Sequence, residues 1–238
     1  MMNKIDKAID FLVEEDPLFS NPVTFDDKWL DKHTKSWTRR ADGKIDVAGD
    51  VRLSELGIEK IPYDFGKVLG TFYCSGNQLT SLTGAPEEVG GYFHCFNNQL
   101  TSLTGGPKVV GNDFFCSSNQ LTSLTGGPKV VGGSFYCSYN QLTSLTGAPE
   151  AVGGYFNCSD NQLTSLTGGP KQVDRGFYCQ DNDLTSLEGS PEEVGGSFDC
   201  SQNQLTSLIG APKEVGRDFI SDTFSEKDYI AFVKEHYQ

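Results

Sequence analysis

The chain has 238 residues, and its 32 Asp and Glu outnumber its 19 Lys and Arg, giving a formal net charge of −13 at pH 7. This charge disfavours binding to DNA, RNA or an anionic membrane surface, because all three are themselves negative. No run of about 18 apolar residues is present, so we expect no membrane-spanning helix. The first residues lack the layout of a secretory signal peptide, which favours a cytoplasmic protein.

The first predicted element is a short amphipathic helix after Asn3, a plausible N-cap. The apolar residues of the segment share one helical stripe: Ile5, Ala8, Ile9, Leu12 and Val13. Asp16 precedes Pro17, and a residue before proline avoids the helical region, so we expect the helix to end there.

A second short helix is expected from about Thr24, with Trp29 and Leu30 among its apolar anchors. Asp42-Gly43 then predicts a two-residue hairpin turn between two short strands, the second of which ends at Val47. We interpret residues 1–48 as an N-terminal cap of helices plus a hairpin, because the first coil of a repeat array needs its apolar end covered.

The rest of the chain is dominated by one unit of 21 residues, written seven times over residues 70–216. Residues 49–69 are a degenerate copy in the same phase, with Leu56 at a position where all later copies carry asparagine. The seven cysteines share one phase: Cys74, Cys95, Cys116, Cys137, Cys158, Cys179 and Cys200. A fixed period over this many copies predicts a solenoid whose units stack on their neighbours.

Within each unit, Phe and Cys alternate with a variable residue, as in Phe93-His94-Cys95. Period-two alternation predicts a short strand with Phe and Cys inward, and equivalent strands must pair in parallel because every copy runs the same way. Leu100, Leu103 and Val110 and their equivalents complete the inward set. The odd number and even spacing of the cysteines favour buried free thiols, which suit a reducing cytoplasm, over disulfides or zinc sites.

An asparagine follows each regular strand, as Asn98 follows Cys95. Its amide can donate to and accept from backbone groups where strand pairing stops, so we expect a buried asparagine ladder. Glycines such as Gly105 permit the next turn, and prolines such as Pro107 favour an extended or polyproline II return on the opposite side.

These features together resemble the leucine-rich repeat family, whose unit reads Leu-x-x-Leu-x-Leu-x-x-Asn-x-Leu. Phe93, Cys95, Asn98 and Leu100 fill the last four marked positions of that pattern. The match is most similar to the short bacterial class, from which it departs by one extra residue between Val110 and Phe114 and by Thr-Gly-x-Pro segments. Similar Asn-Gln-Leu-Thr-Ser-Leu arrays occur in proteins of bacteriophages and bacteria.

The resemblance covers residues 49–221 and implies a leucine-rich-repeat solenoid with a curved parallel β-sheet on its concave side and an irregular or polyproline II convex side. Residues 222–238 are expected to form a C-terminal helical cap, because Ser225 and Asp228 favour a helix start and Tyr229 begins an apolar face. Small helical caps would therefore close both ends.

The outward strand positions vary most between copies, so we expect recognition there. They predict an aromatic stripe on the concave face, edged by carboxylates toward the C-terminal coils. The candidate partner-binding residues are Tyr73, Tyr92, His94, Phe96, Asp113, Phe115, Tyr136, Tyr139, Tyr155, Tyr178, Asp181 and Asp199. Aromatic residues are common anchors of protein interfaces, and the acids favour a partner with a basic patch.

The sequence therefore predicts a non-enzymatic protein-binding module, with no catalytic residue, metal or cofactor. The resemblance to phage and bacterial arrays suggests a factor that engages or inhibits a host defence protein, in the host cytoplasm if it is phage-encoded. Two alternatives stay open: a structural, self-assembling component, which would be a homo-oligomer, and an aromatic stripe that only stabilises the sheet.

Overall fold

The computed structural model describes residues 26–237. The predicted first helix, with its stripe from Ile5 to Val13, and the expected start of the second helix at Thr24 lie outside the described residues. The chain divides into two compact units, Met1–Lys32 and His33–Gln238. Of the first unit, the structure describes residues 26–32, nearly all of which belong to the helix Asp27–His33. Its N-cap is Asp26, whose carboxylate accepts a hydrogen bond from the backbone N–H of Trp29 at 2.9 Å.

The second unit is a parallel-strand solenoid of about eight turns, as the repeat predicts. Each turn contributes two residues to a nine-stranded sheet, the inward Phe of its unit (Val51 in the first coil) and the variable residue after it. In chain order, the strands of this sheet are Val51–Arg52, Phe72–Tyr73, Phe93–His94, Phe114–Phe115, Phe135–Tyr136, Phe156–Asn157, Phe177–Tyr178, Phe198–Asp199 and Phe219–Ile220. Equivalent residues of successive turns lie in register, so Phe93 faces Phe114 and His94 faces Phe115.

A second sheet, which the sequence analysis did not predict, lies on the side expected to be irregular. It is ten-stranded, and its strands are Trp37–Arg39, Ile45–Val47, Phe65–Val68, Glu88–Val89, Val109–Val110, Val130–Val131, Ala151–Val152, Gln172–Val173, Glu193–Val194 and Glu214–Val215. In each regular turn only two residues pair, one exposed and one buried, as in Val109–Val110. An alternation of two residues is too short to distinguish a strand from an extended return in sequence.

The predicted hairpin opens the ten-stranded sheet. Trp37–Arg39 and Ile45–Val47 pair antiparallel, and Ile45–Val47 then pairs in parallel with Phe65–Val68. The connection is longer than the predicted two residues, because residues 40–44 separate the paired strands. Gly43 adopts φ 86°, and the carboxylate of Asp42 accepts a hydrogen bond from the backbone N–H of Lys44, an arrangement typical of longer hairpin loops.

The core repeats from turn to turn, as predicted. The inward phenylalanines from Phe72 to Phe219 form one continuous stack, with successive ring centroids 5.1 to 5.8 Å apart. All seven cysteines are buried free thiols, and burial raises the pKa of each thiol, that of Cys200 to about 12. Each buried Phe or Leu contributes about 1.5–3 kcal/mol, so repetition builds a core without a long helix.

The asparagine ladder is confirmed and links neighbouring turns. The Asn98 amide donates to the carbonyls of Cys74 at 3.0 Å and Cys95 at 3.1 Å, and its oxygen accepts from the N–H of Leu79 at 3.0 Å. Each asparagine thus serves the turn before its own. This explains why the first coil tolerates Leu56, because no regular coil precedes it.

The C-terminal helix spans Glu226–Tyr237 and covers the last turn. Ser225 and Asp228 form the predicted helix start, since the Ser225 backbone N–H donates to the Asp228 carboxylate at 2.8 Å and the Asp228 N–H donates back to the Ser225 hydroxyl at 3.3 Å. The Tyr229 ring stacks on Phe219 with a centroid distance of 4.4 Å and so ends the phenylalanine stack.

Candidate protein-binding face

The outward residues of four adjacent strands form a stacked row, which we call the aromatic ladder: Tyr73, His94, Phe115 and Tyr136. Successive ring centroids are 4.9, 4.6 and 4.9 Å apart, and the interplanar angles are 14°, 9° and 5°. Strand alternation positions the row, because the Phe and Cys on either side of each rung point into the core. The four rings are half-buried, and each leaves part of its surface open to solvent.

Two further aromatic side chains flank the ladder at His94. The ring of Tyr92 lies 6.0 Å from the imidazole at 44°, and the ring of Phe96 lies 6.0 Å away at 69°. Both are exposed, at 40% and 39%. Phe96 stands where neighbouring coils carry small hydroxyl residues such as Ser75 and Ser117. The structure therefore groups four of the predicted site residues around the imidazole of a fifth, His94: Tyr73, Tyr92, Phe96 and Phe115.

His94 behaves as a rung of this row rather than as a cation. Burial lowers its pKa below the ordinary histidine value, and the nearby Asp113 carboxylate opposes that shift only in part. The imidazole is therefore neutral near pH 7. A neutral ring stacks on Tyr73 and Phe115 without a charge to desolvate.

The ladder ends differently on its two sides. On the N-terminal side, the Arg52 guanidinium lies 5.1 Å from the Tyr73 ring centroid and forms an ion pair of 2.8 Å with Asp50. On the C-terminal side, Asn157 interrupts the rings, and its side-chain oxygen accepts a hydrogen bond from the N–H of Ser159. Sequence reasoning did not include Arg52, although it occupies the repeat position of Tyr73 in the preceding coil.

Beyond Asn157, the predicted site residues Tyr155 and Tyr178 form a separate pair. Their ring centroids are 6.0 Å apart, with an interplanar angle of 34°. The Arg175 guanidinium lies 5.6 Å from the Tyr155 centroid. The stripe predicted from Tyr73 to Tyr178 is thus divided in the structure into a four-rung ladder and a two-ring cluster.

The predicted carboxylates differ in how many local hydrogen bonds they accept. One oxygen of Asp113 accepts the backbone N–H of Ser134 at 2.7 Å, which supports the next strand. One oxygen of Asp199 accepts both the N–H and the hydroxyl of Ser201, at 3.0 and 2.6 Å. Asp181 is exposed at the position after the strand, with φ 56°. Local hydrogen bonds therefore occupy part of Asp113 and Asp199, and Asp181 faces solvent.

Tyr139 occupies the same left-handed position as Asp181, two coils earlier. Its φ is 54° and its side chain is 62% exposed. Other coils place Asn97, Ser118 or Gly76 there, and small or glycine residues adopt this region at lower cost. A bulky aromatic residue in this conformation is uncommon, so Tyr139 lowers the stability of the fold relative to glycine or asparagine at this position.

Within residues 26–237, no group of three or more His, Cys, Asp or Glu is arranged to hold a metal ion. The described helices include none that is long and apolar enough to cross a membrane. The cysteines, which are the strongest nucleophiles of the sequence, are buried as neutral thiols behind the nine-stranded sheet. The outer face therefore presents aromatic, amide, carboxylate and guanidinium groups.

Comparisons with known proteins give a likeness in structure but none in sequence. No protein-family profile matches the sequence, and no curated protein sequence matches it significantly. Among solved structures, the chain is similar to YopM from Yersinia enterocolitica WA-314, with a TM-score of 0.40 and 18% sequence identity. The match covers 94% of this chain and 58% of that one, so the chain spans a little over half the length of that structure. A likeness of this size carries no argument about partners.

Proposed function

We propose that the outer face of the nine-stranded sheet binds a protein partner, with the aromatic ladder and its flanking rings as the anchor. The observation that carries the proposal is that two exposed rings, Tyr92 and Phe96, flank the half-buried stacked row at His94, with the exposed Tyr139 after the strand Phe135–Tyr136 of the same sheet. Interface anchors are enriched in aromatic residues that leave water on binding. The eight spacings of about 4.8 Å between its nine strands extend the face over roughly 38 Å, enough for an interface of ordinary size.

Stability of the sheet accounts for only part of this arrangement. Stacked cross-strand pairs such as Phe115 and Tyr136 contribute about 0.2–1 kcal/mol each. Among the described residues Tyr139 makes no ring contact with the ladder, and it holds a left-handed backbone, so its side chain adds little to the stability of the fold. Partner binding explains the ladder and the exposed rings together.

We propose that the partner presents a basic patch. The net charge of the protein is −13, and Asp181 and the free oxygens of Asp113 and Asp199 edge the aromatic residues. Opposite charges speed association and select among partners more than they increase affinity. The arrays that this sequence resembles occur in phage and bacterial proteins, which supports a finer proposal: a factor that engages or inhibits a bacterial host defence protein in the cytoplasm.

The test begins with affinity capture from a bacterial lysate, comparing the wild-type protein with a Phe115→Glu/Tyr136→Glu variant. A matched control is Val130→Glu, because Val130 is 55% exposed on the ten-stranded sheet, away from the ladder. Circular dichroism and thermal unfolding must show that all three proteins are folded. We expect one protein to be captured by the wild type and the control and lost with the double variant.

Two milder substitutions then locate the site with the captured protein. Phe96→Ser and Tyr139→Ser restore residues that neighbouring coils carry at those positions, Ser117 and Ser118, so folding should be preserved. Each is expected to weaken the measured Kd at least tenfold, about 1.4 kcal/mol. Unchanged affinity in both would refute the proposed site.

Self-assembly would give a different pattern. Sedimentation of the purified protein would then show a mass that rises with concentration and does not change with Phe115→Glu/Tyr136→Glu. The open edge of the nine-stranded sheet at Phe219–Ile220, where Ile220 is 40% exposed, would be the place to examine.

A further inference from the structure

One segment of the repeat departs from its neighbours at the start of a strand of the nine-stranded sheet. Four coils, including the two on either side of this one, carry two glycines before the residue that precedes the strand, whereas this coil reads Asp174-Arg175-Gly176. A second arginine, Arg217, occupies the position of Arg175 two coils later, and Gly196 occupies it in the coil between. With coils about 4.8 Å apart, the two arginine backbones are roughly 10 Å apart along the sheet.

These two arginines line a surface cavity of about 320 Å³. Its walls include the rings of Tyr155 and Tyr178, and glycine backbone contributes to its lining. Gly176 matters for the shape, because a Cβ there would lie 2.8 Å from the hydroxyl oxygen of Tyr178. The missing side chain lets the Tyr178 ring lie across this position, where other coils carry Thr71, Ser134 or larger residues.

The Arg175 guanidinium lies 5.6 Å from the Tyr155 ring centroid, and an acid is adjacent in the chain to each arginine of the cavity, Asp174 before Arg175 and Asp218 after Arg217. Within residues 26–237, neither Arg175 nor Arg217 forms an ion pair, whereas Arg52 at the other end of the same face pairs with Asp50 at 2.8 Å. The carboxylate of Asp174 also lines the cavity, and one of its oxygens accepts a hydrogen bond from the side chain of Gln172 at 3.2 Å.

The charges around the cavity are mixed. Arg175, Arg217 and Asp174 line it, and the hydroxyl of the lining residue Ser197 donates to the carboxylate of Asp218 at 3.2 Å. Both arginines are exposed, so their guanidinium N–H groups are available to an anionic ligand.

We propose that this cavity binds a phosphomonoester group. A phosphomonoester carries nearly two negative charges at neutral pH, which matches two guanidinium groups, and guanidinium hydrogen-bonds phosphate oxygens in a fixed fork. The Tyr155 and Tyr178 rings provide an apolar wall for the organic part of the ligand. The group comes either from a free small molecule or from a phosphorylated side chain of a protein, and the two sources share this chemistry.

This inference goes beyond the partner-binding proposal and does not depend on it. The cavity is separated from the aromatic ladder by Asn157, and the test uses no partner protein. Failure of one proposal therefore leaves the other standing.

The experiment is a titration of the ¹⁵N-labelled full chain, followed by NMR at constant ionic strength. The probes are inorganic phosphate, phenyl phosphate and a short uncharged peptide bearing one phosphotyrosine, with sodium chloride as the reference salt. We expect saturable shifts of the Gly176 and Gly196 amides with the phosphate probes and not with chloride. Tighter binding of the peptide than of phenyl phosphate would assign the group to a protein, and equal or weaker binding would assign it to a small molecule.

Three variants separate this site from general charge effects. Arg175→Gln/Arg217→Gln is expected to weaken the Kd for phenyl phosphate at least tenfold, and Gly176→Ala to weaken it without any change of charge. Arg52→Gln is the matched control and should leave the Kd unchanged. The proposal is overturned if the shifts stay linear with every phosphate probe, if they spread over the whole surface, or if the double variant titrates like the wild type.

Discussion

Replacing Asn119 with alanine tests whether the asparagine ladder holds the turns of the solenoid together. The Asn119 side chain makes four hydrogen bonds. Its amide donates to the carbonyls of Cys95 at 3.0 Å, Cys116 at 3.1 Å and Ser117 at 3.3 Å, and its oxygen accepts from the N–H of Leu100 at 3.0 Å. Alanine removes all four at once, in a place that water does not reach, because Asn119 is 8% exposed.

The loss of unfolding free energy depends on which backbone groups are left without any hydrogen-bond partner. The carbonyls of Cys95 and Cys116 keep a second donor, since Asn98 also serves Cys95 and Asn140 also serves Cys116. The N–H of Leu100 has no other acceptor among the hydrogen bonds of the described residues, so it becomes a buried unsatisfied donor, at a cost of about 1–3 kcal/mol. With the lost donor bonds, we expect the free energy of unfolding to fall by about 2–4 kcal/mol.

Urea unfolding followed by far-ultraviolet circular dichroism measures this loss. Gln120→Ala is the matched control, because it removes the same amide from the next residue, which is exposed, and should change stability by less than about 0.5 kcal/mol. Asn203→Ala should fall between the two, since Asn203 makes equivalent bonds in a half-buried setting near the end of the array. The reasoning is refuted if Asn119→Ala and Gln120→Ala unfold at the same urea concentration.

Three further predictions follow from single features. Tyr139→Asn should raise the melting temperature in calorimetry, because φ 54° costs a tyrosine about 1 kcal/mol and asparagine less. Tyr229→Ala should speed amide exchange in Phe219–Ile220 but not in Phe72–Tyr73, because it uncovers only the last turn. Burial raises the pKa of the thiols in the folded protein, that of Cys200 to about 12, whereas unfolded thiols ionise above about pH 8.5. The urea concentration at the unfolding midpoint should therefore fall as the pH rises above about 8.5. A midpoint that stays constant at alkaline pH would contradict this.

The repeat predicted the scaffold well because every turn has to bury the same apolar residues and satisfy the same backbone groups. Phe93 and Cys95 had to point the same way, and an amide such as Asn98 had to satisfy backbone groups where the strand ended. These inferences need only local alternation and the knowledge that copies stack. The same logic located the C-terminal helix, because Ser225 and Asp228 act within one turn.

The arrangement of the outer face depended on contacts 21 residues apart that one unit does not reveal. The sequence shows that Asp113 is outward, but not that the N–H of Ser134 takes one of its oxygens. It shows aromatic residues at 73, 94, 115 and 136, but their stacking depends on the in-register pairing of the strands that carry them. The cavity at Arg175 required the tilt of the Tyr178 ring over Gly176, which no pattern encodes. The role of these residues in binding therefore stays a prediction, although the structure now gives their positions.

The outer face can vary between coils because the interior does not depend on it. Buried contacts from turn to turn are made by Phe, Cys, Leu and Asn, and the rungs between them contribute only the modest energy of a cross-strand pair. Phe115→Ala should therefore cost far less stability than the about 3–5 kcal/mol expected for a fully buried phenylalanine such as Phe114. A face whose residues can change without unfolding the protein can be shaped by its ligands, and the exposed rings near His94 and the arginines near Tyr178 are the places where we propose that ligands bind.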